Sequence, residues 1–140
     1  MDSISRTFLA ADAQPVSSAD DFKVRGLIVV CAISAGVHVA LIPEHWREAR
    51  LIAVGFLLAA LGLAGCACLL DRHPPSARLV AVAGALLVAL IAGYAFTRIA
   101  PFAALVGHAE EVDALGLTTK AVELVGLGLV LSIHKSGGLR

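Results

Sequence analysis

The stretch 114-ALGLTTKAVELVGLGLVLSI-133 decides how this chain is read. It is apolar except for Thr118, Thr119, Lys120, Glu123 and Ser132. Its length is what an α-helix needs to cross a hydrocarbon layer of ~30 Å at a rise of ~1.5 Å per residue. A carboxylate near the centre of such a helix costs roughly 2.5–3.5 kcal/mol on insertion scales, so Glu123 needs a partner or a task.

Three further runs match it in length: Gly26–Ile42, Leu51–Leu70 and Leu79–Thr97. The chain is 59% hydrophobic, with a mean hydropathy of +0.88, well above a soluble domain. A soluble helical bundle would carry a charged stripe on the outer face of each helix, yet Leu51–Leu70 and Leu79–Thr97 hold no charge at all. No alternation of polar and apolar residues suggests a membrane β-barrel. The expected architecture is therefore an all-α, four-helix transmembrane bundle, forming one domain over residues 23–135. Residues 1–22 read as a flexible polar tail without the apolar core of a cleavable signal, and 136–140 as a short C-terminal tail.

Lys23, Arg25, Arg72, Arg78, Lys135 and Arg140 fall on one side of the membrane, against Arg47, Arg50 and Arg98 on the other. The positive-inside bias favours both termini inside. Trp46 then sits at the outer edge as an interfacial anchor. Zero net charge offers no reason to expect a nucleic-acid partner.

This topology gathers imidazoles and carboxylates at the outer end. His38, Glu44, His45 and Glu48 lie where helices 1 and 2 meet, with Pro43 expected to open helix 2 and Glu44 in its first turn. Tyr94 and Arg98 close helix 3, and His108, Glu110, Glu111 and Asp113 precede helix 4. The third loop, with Pro101–Gly107, is too short to span and is expected either to lie at the interface or to dip over the bundle as a lid. On helix 4, Gly116, Thr119, Lys120, Glu123 and Gly126 recur at three- and four-residue spacing and share one face, while Leu117, Leu124 and Leu131 mark another. Small-residue stripes at Gly55, Ala59, Gly62 and Cys66, and at Ala81, Ala85 and Ala89, suit close helix packing. Cys31, Cys66 and Cys68 read as packing residues, since positions two apart on a helix cannot aim at one ion.

Three functions suit that cluster. The leading one is a small membrane subunit or accessory protein in which Lys120, Glu123, Thr119, Tyr94, Arg98 and Glu44 form a buried polar network that sets helix register. Its partners would be membrane lipid and either another membrane protein or a second copy. The alternative is a zinc, copper or iron site built from His38, His45 and Glu123, completed by His108 or Glu111. The third is an oligomeric, proton-coupled transporter using Glu123. The small multidrug-resistance exporters share the size but keep their acid in the first helix, where this chain has His38. No nucleophile elbow, phosphate loop or catalytic triad pattern points to an enzyme.

The pieces His38…Pro43-Glu44-His45…Glu48 and Tyr94…Arg98…Glu111…Glu123 resemble a pattern in small four-helix bacterial membrane proteins of unknown function. The resemblance spans the four helices. It implies a location in the bacterial cytoplasmic membrane and supplies no activity.

Overall fold

The computed structural model describes residues 18–98 and 113–137. They form four α-helices: α1 (Ser18–Glu48), α2 (Arg50–Arg72), α3 (Ala77–Phe96) and α4 (Ala114–Ser136). All four are long and apolar enough to cross a membrane. Each packs against two neighbours in the cyclic order α1, α2, α3, α4, with α1 and α2 in most extensive contact. We call the end where α1 and α3 finish the upper end, and the opposite end the lower.

The helix ends follow local chemistry. Ser76, after the Pro74-Pro75 break, accepts a hydrogen bond from the Leu79 amide at 3.3 Å and caps α3. Asp113 does the same for α4 through the Gly116 amide. Gly137 ends α4 with φ 66°, a left-handed conformation that costs glycine little.

Two boundaries differ from expectation. α1 begins at Ser18 rather than in the twenties, so the end of the expected tail is helical. Asp20 and Asp21 fall in the first turn, where carboxylates suit the helix dipole. Asp20 is buried and accepts hydrogen bonds from Lys23 Nζ at 2.9 Å and Ser136 Oγ at 2.8 Å, tying the start of α1 to the end of α4. Residues 1–17 lie outside the described residues.

The second difference is at Pro43, which sits inside α1 rather than opening α2. The chain instead turns at the single residue Ala49, with φ −146° and ψ 79°. Proline forfeits only its own bond to the Val39 carbonyl, and a helix continues past that when its other bonds hold. Here the Ala49 amide still reaches the His45 carbonyl at 2.8 Å. Glu44 consequently lies near the C-terminus of α1, the opposite dipole environment from the one expected, while His45 and Arg47 suit that end.

The interior has two halves. The lower half is an apolar core in which Leu27, Cys31, Leu63, Val80, Leu87 and Ile133 are fully buried. The upper half buries Ser34, His38, Thr119 and Glu123. Outside, the surface is greasy: Leu51, Leu58, Leu61 and Val125 are each at least 60% exposed. A water-soluble bundle this size has the opposite arrangement.

The helices choose their faces unevenly. α4 buries Thr119, Glu123 and Gly126 and turns Leu117, Leu124 and Leu131 outward, as the spacing predicts. α3 does not follow its alanine stripe. It buries Val80, Ala83, Gly84 and Leu87 and leaves Ala81, Ala85 and Ala89 exposed. Shape decides this, because a Cβ on Gly84 would lie 2.9 Å from Val130 Cγ1, so only glycine lets α3 and α4 approach there. Cys31 and Cys66 are buried free thiols and Cys68 is exposed.

Candidate functional site

Ser34 and His38 sit one turn apart on α1, and Lys120 and Glu123 one turn apart on α4. The antiparallel packing of the two helices brings these pairs together. Glu123 is completely buried. Its Oε1 accepts the Ser34 hydroxyl at 2.8 Å, and its Oε2 accepts a short, charge-assisted bond from Lys120 Nζ. Lys120 Nζ also approaches the Leu90 carbonyl at 3.4 Å, tying α4 to α3. The chain Ser34–Glu123–Lys120–Leu90 thus links three helices.

His38 joins the network from the side. Its Nδ1 lies 2.7 Å from the Ser34 carbonyl and 3.5 Å from the Ser34 hydroxyl. A carbonyl can only accept, so Nδ1 carries the proton and Nε2 is the lone-pair nitrogen. His45 repeats the arrangement about two turns on, with Nδ1 3.0 Å from the Leu41 carbonyl. Both imidazoles pack edge-on to Phe56 of α2, at centroid distances of 5.4 Å and 4.9 Å.

On the other side, the Arg98 guanidinium lies 3.5 Å from the Tyr94 ring centroid, and Lys120 Nζ lies 5.5 Å from it. Arg98 also donates to Thr97 Oγ1 at 2.7 Å and to the Tyr94 carbonyl at 3.3 Å. The Tyr94 hydroxyl is buried and has no hydrogen-bond partner among the described residues. Its ring rests on Gly116, where an added Cβ would meet Tyr94 Cε2 at 2.8 Å. Gly116→Ala is expected to displace Tyr94 and destabilise the bundle by about 1–3 kcal/mol, the range of an overpacked contact, read by denaturant unfolding in detergent.

These walls enclose a cavity of about 660 Å³ in the upper half, reached by His38, His45 and Phe56 from one side and by Tyr94, Arg98 and Lys120 from the other. That volume is typical of a small-molecule site.

The expected polar network is partly assembled. Lys120 and Glu123 pair, and Tyr94 and Arg98 stack beside them. Thr119 is buried, but its hydroxyl bonds the Leu115 carbonyl of its own helix at 2.7 Å. Glu44 is exposed at the cavity rim rather than in the network, because α1 continues past Pro43 and carries it near its own C-terminus. The expected metal set does not form among the described residues: no three histidine, cysteine or acidic side chains there are placed to hold an ion. Glu123 is committed to Ser34 and Lys120, and Phe56 packs against both imidazoles. His108, Glu110, Glu111 and the Pro101–Gly107 loop lie outside the described residues. Sequence reasoning missed Ser34 and Phe56. The signal for Ser34 was a lone hydroxyl four residues before His38; an isolated phenylalanine in an apolar run gives none.

Comparison with family models, with curated proteins and with solved structures finds no match for this chain.

Proposed function

We propose that this chain is a multi-pass membrane protein with both termini inside, working as a small subunit or accessory protein. The observation that carries the reading is the state of Glu123. A carboxylate that couples protons needs access to water, and one that binds a metal needs an oxygen to offer. Glu123 has no exposed surface, and each of its oxygens already accepts a hydrogen bond. That arrangement holds helices in register.

The greasy exterior supports the membrane location. In the most apolar window of each helix only 22–33% of residues are buried inside the bundle, so most of that apolar surface looks outward and wants lipid or another membrane protein. The biased placement of Lys23, Arg25, Arg72, Arg78 and Lys135 toward the lower end supports the orientation.

Glu123→Gln tests the reading. The amide keeps the shape and can still accept from Ser34, but gives up the ion pair. The expected result is a lower unfolding midpoint in detergent with unchanged association state in crosslinked membranes. Proton uptake by wild-type proteoliposomes that vanishes in the variant overturns the assignment in favour of transport.

A further inference from the structure

The upper cavity has features that register-keeping does not require. Tyr94 lines it and has a buried hydroxyl with no partner among the described residues, and a buried polar group left unpaired is costly. Lys120 has three N–H groups, of which Glu123 and the Leu90 carbonyl take two. Across from them His38 turns a lone-pair nitrogen, Nε2, away from its own helix backbone. Both sides line the same space, together with the apolar side chains of Leu41, Ile52 and Phe56. Hydrogen-bond donors on one wall, an imidazole acceptor on the other and apolar packing between them describe a receptor for an amphiphile with a polar head.

The charges narrow its chemistry. Lys120 is balanced by Glu123, and the Arg98 guanidinium stacks on the Tyr94 ring. Glu44 and Asp113 are exposed at the rim and repel an entering anion. An uncharged head is favoured. It needs an oxygen that accepts from Tyr94 and Lys120, and an O–H that gives to His38. The rings of Phe56 and Tyr94 favour a flat one.

We propose that the upper cavity binds an uncharged, lipid-soluble molecule with a hydroxylated aromatic head, of the hydroquinone or alkylphenol type, through Tyr94, Lys120 and His38. The tail lies along Leu41 and Ile52. The site does not depend on the accessory role, and a failure of either leaves the other standing.

The test is titration of the purified full chain in detergent with decylhydroquinone under argon, with decanol and decanoate as probes carrying a similar tail. Unfolding midpoint and saturable binding are read for wild type and for Tyr94→Phe. Phenylalanine keeps the ring on Gly116 and Arg98 and removes only the unpaired hydroxyl, so the variant without ligand unfolds at or above the wild-type midpoint. The expected result is saturable stabilisation by decylhydroquinone, about tenfold weaker in the variant, the scale of one lost hydrogen bond. The proposal is overturned if decanol stabilises equally, since only the tail is then recognised, or if decanoate binds more tightly, since the site then prefers an anion. It is equally overturned if no probe binds saturably, or if the variant binds like wild type.

Discussion

Replacing Lys120 by methionine is expected to destabilise the bundle by about 3–5 kcal/mol, the cost of leaving one member of a buried ion pair without the other. Methionine fills much of the same space, so the loss is electrostatic rather than steric. Glu123 has no exposed surface through which water could replace the ammonium, and Ser34 satisfies only one of its oxygens. The double variant Lys120→Met, Glu123→Gln removes the stranded charge and is expected to regain most of the loss. Replacing a whole buried pair is often close to neutral, whereas breaking it is not. Denaturant unfolding in detergent micelles of the two single variants and the double one gives the cycle. Additive losses would mean that the two residues do not act as a pair.

Gly126→Ala is expected to be the other severe change, costing about 1–3 kcal/mol or more from a single methyl group. Gly126 lies on α4 where α1 and α3 both press against it. An added Cβ would stand 2.6 Å from Val30 Cγ1 and 2.9 Å from Leu87 Cδ1. Both neighbours are branched side chains within the buried core and have little room to retreat. Helix separation in this region would also disturb the Ser34–Glu123 bond one turn higher. Gly128→Ala is the control: its Cβ would meet nothing within 4 Å. Alanine there is expected to be neutral or stabilising by up to ~1 kcal/mol, since alanine favours the helix more than glycine. Equal unfolding midpoints for the two variants would show that Gly126 is not a packing point.

The contrast between these glycines marks the limit of what could be read without the fold. The sequence alone determined that there are four apolar helices and roughly where each lies, because length and the absence of charge are properties of one segment at a time. It also determined which side of α4 turns inward, since Thr119, Lys120 and Glu123 contrast with Leu117, Leu124 and Leu131. It placed Lys120 and Glu123 three residues apart, close enough to pair. Only the tertiary structure decided the rest. α3 is apolar all round, so hydropathy could not tell its buried Val80, Gly84 and Leu87 from its exposed Ala81, Ala85 and Ala89. That choice belongs to shape, with Gly84 receiving Val130 and Gly126 receiving Val30 and Leu87. Likewise Pro43 reads locally as a helix start, and only the remaining hydrogen bonds of α1 carry the helix beyond it and Glu44 to the rim. Ser34 became the third member of the ionic network because α1 and α4 meet at that height. A segment's solubility is written in its own residues, but the face it buries depends on which neighbour it fits.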